Sequence, residues 1–99
     1  MRFPKPPKRK RNKAYLAWIA SLPCCISGKP GPSQAHHVRL GHHGGMGRKP
    51  DDSRALPLSC EQHDRLHRIG EAEFWAGVSP ETLIGAYNRT YEIVREGKP

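Results

Sequence analysis

The chemistry in this sequence is carried by histidine. Six histidines fall in three groups: His36-His37, His42-His43, and His63 with His67. A neutral imidazole ligates divalent cations, and with an ordinary pKa of about 6.5 it can also take a proton from water near neutral pH. His63 and His67 are four residues apart, so on a helix both rings project from one face and can meet a single ligand. Such a pair alone also fits an ordinary helix surface. The second pair, His36-His37, in a strongly basic chain favours a shared site. His42-His43 lies among glycines and reads as solvated loop, with phosphate contact or an auxiliary metal position as the functional alternative.

These groups need elements to position them. Residues 34–40 are expected as a strand carrying His36-His37, with Val38 and Leu40 alternating. Residues 41–50 hold four glycines and no large aliphatic side chain besides Met46, which reads as a long loop around a site. A short second strand is expected over 55–58. A helix follows over 59–69, with Ser59 as N-cap and Gly70 as the stop.

Flanking helices complete the set. Ala14, Tyr15, Leu16, Trp18, Ile19 and Leu22 recur at helical spacing over 12–22, and Pro23 closes that segment. Residues 27–33 form a Gly/Pro turn region. Helices are also expected over 71–76 and 80–95, the second with Leu83, Ile84, Tyr87, Tyr91 and Val94 on one stripe. The same spacing makes Trp18, Phe74, Trp75, Tyr87 and Tyr91 core residues rather than base-stacking ones. The expected fold class is α+β, with a basic arm over 1–13 and one small domain over 14–99.

Charge narrows the function classes. The chain has 17 Lys and Arg against nine Asp and Glu. Residues 1–50 contain eleven of those bases and no acid, which suits a polyanionic partner. Seven bases and three prolines, Pro4, Pro6 and Pro7, crowd the first 13 residues, so that stretch is expected to be extended and to hold phosphates. Only 35% of residues are hydrophobic, and no apolar run approaches the roughly 18 residues a membrane span requires. A secretory leader is not expected, since the N-terminus lacks an apolar h-region and a small-residue cleavage site. Cys24, Cys25 and Cys60 therefore read as reduced, half-buried cytoplasmic thiols or metal ligands, an odd count being a poor disulfide framework.

Three strings carry a resemblance: Ala35-His36-His37-Val38-Arg39-Leu40, then Gly44-Gly45-Met46-Gly47-Arg48-Lys49-Pro50-Asp51-Asp52, then Leu56-Pro57-Leu58-Ser59-Cys60-Glu61-Gln62-His63-Asp64-Arg65-Leu66-His67. In this order they resemble the His-Asn-His (HNH, ββα-metal) endonuclease superfamily, and look similar to small prophage-type recombination-enhancement nucleases. The resemblance covers roughly residues 14 to 95, its specific part being 35–67. It implies a β-hairpin and a helix gripping one divalent cation, with helices on either side. By position, it makes His36 and His63 the metal ligands, His37 the general base, and His67 a contact to phosphate or to a water. Asp51 or Asp52 is the nearest candidate for the middle, orienting position, where the family carries Asn.

Relatives in that superfamily often hold a structural zinc. Its four positions fall here on Cys24, Ser27, Ser59 and Gln62, leaving one soft ligand, so a closed zinc site is not expected. A rival register would use Cys24, Cys25, Cys60 and His63.

The resemblance implies a phage or bacterial cytoplasmic hydrolase that cuts DNA phosphodiester bonds with one divalent cation, Mg²⁺, Mn²⁺, Ni²⁺ or Zn²⁺. Arg9, Lys10, Arg11, Arg39, Arg48, Lys49 and Arg65, with Arg54 and Arg68, would contact phosphates and bind without strong sequence preference. The alternatives are a catalytically inactive nucleic-acid-binding module built on the same fold, and a zinc-stabilised interaction domain.

Overall fold

The computed structural model describes residues 11–40 and 50–96. Arg9, Lys10, His42, His43, Arg48 and Lys49 lie outside the described residues, as does nearly all of the expected 41–50 loop. Within them, the chain is α+β: a two-stranded sheet packed between helices.

Helix α1 spans Lys13–Ala20 and is shorter than the expected 12–22. Asn12 caps it, its side-chain Oδ1 accepting the N–H of Tyr15 at 3.0 Å. Strand β1, Gln34–His37, pairs antiparallel with β2, Ala55–Leu58, in the register Gln34 to Leu58, Ala35 to Pro57, His36 to Leu56 and His37 to Ala55. β1 stops short of the expected Leu40, but Val38 still donates its N–H to the Arg54 carbonyl at 3.0 Å. A short 3₁₀ turn, Asp52–Arg54, leads into β2.

Every residue of β2 is buried, because the sheet is covered on both faces. Leu56 and Leu58 join Val38, Leu66, Phe74, Trp75, Ile84 and Cys24 in the larger core. Ala55 faces the other way and packs with Tyr15 and Ile19 of α1. The Pro57 carbonyl accepts the N–H of Cys25 at 2.9 Å, so the turn after α1 also closes that side of the sheet.

Helix α2, Cys60–Ile69, carries the expected signals at both ends. Ser59 Oγ accepts the N–H of Gln62 at 3.3 Å, and Gly70 ends the helix at φ +89°, a left-handed conformation that side-chain-bearing residues rarely adopt. That turn lets a new helix start at once: α3 spans Glu71–Phe74 and ends two residues before the expected Ala76. Helix α4, Pro80–Arg95, matches its expected span, with Ser79 as N-cap and Pro80 in the first turn. Leu83, Ile84, Tyr87 and Tyr91 pack inward as the stripe requires, whereas Val94 is half exposed because the helix has run past the core. No helix among the described residues is long and apolar enough to cross a membrane.

Candidate metal centre

Strand alternation decides where the first histidine pair points. Successive strand residues project to opposite faces. His36 lies across from Leu56 and shares its face with the larger core and α2; His37 lies across from Ala55 and faces α1 and the 3₁₀ turn.

On the first face, His36 meets the two histidines of α2. The ring centroids of His36 and His63 are 5.2 Å apart, those of His36 and His67 6.0 Å, and those of His63 and His67 4.5 Å. One nitrogen from each ring lies within 4.8 Å of the others, close enough to hold a metal ion. Nε2 of His63 and Nε2 of His67 stand 3.2 Å apart. Two nitrogens bound to one cation at about 2.0–2.1 Å would be roughly 2.9–3.4 Å apart, so this pair is already at ligand spacing. His67, read from the sequence as a contact to phosphate or water, belongs to this group alongside His36 and His63.

The group is graded in exposure. His36 is 8% exposed, His63 is half-buried and His67 is exposed, so the centre has a buried floor and an open mouth. Desolvation, with smaller contributions from His36 and His67, pulls the His63 pKa below its ordinary value and favours the neutral ring that a cation requires.

Glu71 lies beneath His36 and has no place in the sequence motif. Its Oε1 is 2.7 Å from Nε2 of His36, and its two oxygens accept the backbone N–H groups of Arg39 at 3.0 and 3.1 Å and of Leu40 at 2.7 Å. Burial opposes ionisation of this carboxyl, but those hydrogen bonds outweigh burial and hold its pKa below the usual range. The contact spans 35 residues, and the only local hint is an acid directly after a glycine helix stop.

On the second face, Nε2 of His37 is 2.9 Å from Oδ1 of Asp52, while Oδ2 of Asp52 accepts the N–H of Asn12 at 2.6 Å. Of the two acids weighed as orienting residue, Asp52 supplies the carboxylate bonded to this ring. Its side chain is 3% exposed and that of His37 28%, so the base candidate reaches solvent while its anchor does not.

Among the described residues, the rival set Cys24, Cys25, Cys60 and His63 does not assemble. Cys24 is buried in the core, Cys60 is exposed, and His63 belongs to the histidine group. Cys24 Sγ instead accepts the N–H of Ser27 at 3.4 Å. Burial opposes ionisation of this thiol, yet hydrogen bonds from Ser27, Ser59 and Ile26 pull it down to about 7. Ser59 caps α2. Of the four positions aligned with a structural zinc, Cys24, Ser27 and Ser59 are engaged in hydrogen bonds, Ser59 as the cap of α2, while Oε1 of Gln62 is buried without a partner among the described residues.

The basic residues divide by what holds them. Arg11, Arg39 and Arg65 are exposed, Arg65 with its guanidinium 5.4 Å from the Phe74 ring centroid, and Arg68 is exposed as well. Arg54, expected from the sequence to contact phosphate, is held within the fold. Its guanidinium donates to the carbonyls of Val38 and Leu40 at 3.2 and 3.0 Å and to Glu81 at 2.5 and 3.1 Å, so it ties the chain after β1 to α4.

The chain is 41% identical over 68 residues to "Uncharacterized protein YdfU" of Escherichia coli (strain K12), a match covering 66% of this chain and 19% of that relative. The chain therefore spans about a fifth of the relative it matches. No solved structure matches it. The family model described as "Protein of unknown function (DUF968)" matches residues 1–93, and the chain belongs to that family.

Proposed function

We propose that this protein is a metal-dependent DNA endonuclease of the HNH type, in which β1, β2 and α2 form the ββα-metal core. The observation that carries the reading is the convergence of His36, His63 and His67 within 4.8 Å, with His37 as the next residue of the same strand and anchored by a buried carboxylate. The two rings leave β1 on opposite faces but from adjacent residues at its end, so a phosphate lying across that strand end would meet both the cation and the base. The first half of the chain, with eleven Lys and Arg and no acid, supports a polyanionic substrate.

His36, His63 and His67 would hold the cation. When bound, it offsets charge on the scissile phosphate and on the leaving oxygen. Three imidazoles with no carboxylate among them suit Zn²⁺ or Ni²⁺ better than Mg²⁺, which favours oxygen ligands. Three protein ligands around an open mouth also leave room for the phosphate.

His37 does the proton work. An ionised carboxylate can only accept hydrogen bonds, so Asp52 keeps the ring proton on Nε2 and leaves Nδ1 with a free lone pair. Nδ1 takes the proton of the attacking water, and the resulting imidazolium is stabilised by the same carboxylate. Arg39 and Arg65 bind flanking phosphates.

Cleavage of supercoiled plasmid and of single-stranded DNA, with Mg²⁺, Mn²⁺, Ni²⁺ or Zn²⁺ titrated in, tests this for the wild type and His37→Ala. Nicking that requires a metal and disappears in His37→Ala supports the reading. DNA binding by both proteins with no cleavage under any metal overturns it in favour of a binding module.

A further inference from the structure

The residue beneath the histidine group explains why the group has its shape. Glu71 is 15% exposed and sits directly after the Gly70 stop of α2, so the helix bearing His63 and His67 delivers this carboxylate to the strand bearing His36. It accepts from three donors on that strand and its extension: the His36 ring and the backbone N–H groups of Arg39 and Leu40. The two backbone bonds fix the carboxylate against β1. The third then fixes a ring.

A histidine ring whose Nε2 is engaged has one nitrogen left for a cation. A carboxylate oxygen stands 2.7 Å from Nε2, and a ring that donates to it carries its proton there. We infer that Glu71 is the positioning residue of the metal centre: it holds His36 by Nε2–H and the chain after β1 by two backbone N–H groups, so that Nδ1 of His36 is presented to His63 and His67. This rests on the metal-centre reading above and adds the residue that sets ligand atom, ring orientation and basicity. A carboxylate behind a ligating imidazole also pushes electron density toward the metal-facing nitrogen.

The effect is directional. Without Glu71, His36 is free to exchange tautomers and rotate about its side-chain bonds, and ordering it on metal binding then costs affinity. Losing such a partner typically weakens metal binding about 10- to 100-fold.

The test uses the full chain labelled with ¹⁵N-histidine, with Zn²⁺ alone as the probe. Calorimetry gives the Zn²⁺ affinity, and long-range ¹H–¹⁵N spectra give the tautomer of each ring in the metal-free and Zn²⁺-bound states. The wild type is expected to show His36 protonated on Nε2 in both states, with Nδ1 shifted on Zn²⁺ addition. Glu71→Ala is expected to mix the His36 tautomers and to bind Zn²⁺ about 10- to 100-fold more weakly. Glu71→Gln, which keeps an acceptor but not the charge, should fall between the two and decides the matter if the alanine variant does not fold.

Wild-type affinity and an unchanged His36 tautomer in Glu71→Ala, or in Glu71→Gln if that is the folded variant, overturn the inference while leaving the metal centre standing. Coordination through Nε2 of His36 in the wild type overturns it as well. A wild type that binds no Zn²⁺ removes the metal-centre reading itself, and the inference with it.

Discussion

Asp52 and His37 are joined at 2.9 Å through Oδ1 and Nε2, and the other oxygen of that carboxylate accepts the N–H of Asn12, the N-cap of α1. One buried acid therefore orients the proposed base and anchors a helix. Asp52→Ala is expected to lower DNA cleavage by roughly 10- to 1,000-fold, less than the whole of the 10²–10⁴-fold that a positioned base contributes. It should also cost about 1–3 kcal/mol of stability by leaving the Asn12 N–H unpaired. Asp52→Asn keeps an acceptor and should lose less stability. Chemical denaturation beside single-turnover cleavage separates the two effects, and full activity in Asp52→Ala would remove Asp52 from the mechanism.

The three-histidine group predicts equal standing for His67. His63→Ala and His67→Ala should each weaken Zn²⁺ or Ni²⁺ binding by at least about tenfold and abolish metal-dependent nicking, since each removes one of three ligands. A chelator should stop cleavage while leaving the far-ultraviolet circular dichroism spectrum intact, because the core packs through Leu56, Leu58, Leu66 and Trp75 rather than around a zinc. Unfolding on chelation would instead point to a structural metal. An active His67→Ala would return His67 to a lesser role.

Acid should act on His63 and Glu71 in the same direction. The His63 pKa lies below its ordinary 6.5, so the unfolded chain takes up protons at that ring more readily than the folded one. Its stabilising contribution is complete above about pH 6.5 and is lost as pH falls through the lower folded value. Glu71, depressed from 4.5, adds a second loss that begins below about pH 4.5. The melting temperature of the metal-free protein should therefore fall from pH 7 to pH 5 and again below pH 4.5. His63→Gln should remove the first step. A melting temperature flat from pH 7 to pH 5 contradicts this assignment.

Arg54 and Arg65 should part company when removed. Arg54→Ala breaks the ties to Val38, Leu40 and Glu81 and is expected to destabilise the fold by about 1–3 kcal/mol. Arg65→Ala and Arg39→Ala should leave the melting temperature nearly unchanged. Each should weaken DNA binding across sequences and flatten the log-affinity against log-salt slope by about one. Binding isotherms at several salt concentrations distinguish the two classes, and an unchanged salt slope in both would place the DNA elsewhere.

Local signals in the sequence determine much of this protein. Ser59 and Gly70 bound α2, Ser79 and Pro80 start α4, and the four-residue spacing of His63 and His67 puts both rings on one face, because capping and helical periodicity act within a few residues. The burial of Leu83, Ile84, Tyr87 and Tyr91 follows from the same periodicity. Val94 shows its limit, since where a helix outruns its core depends on what lies opposite.

Tertiary structure decided what crosses the sheet. Antiparallel pairing sets His36 on the face of α2 and His37 on that of α1, and a slip of one residue would exchange them. Only the packed chain brings Glu71 to His36, Asp52 to His37 and Arg54 to Glu81, contacts spanning 35, 15 and 27 residues. Each is a charged group whose partner is chosen by how the elements dock rather than by its neighbours in sequence. Thus the residue types and their helical or strand spacing came from the chain itself, whereas the assignment of one histidine to the three-histidine group, the next to a buried carboxylate, and an arginine to the scaffold came from three-dimensional packing.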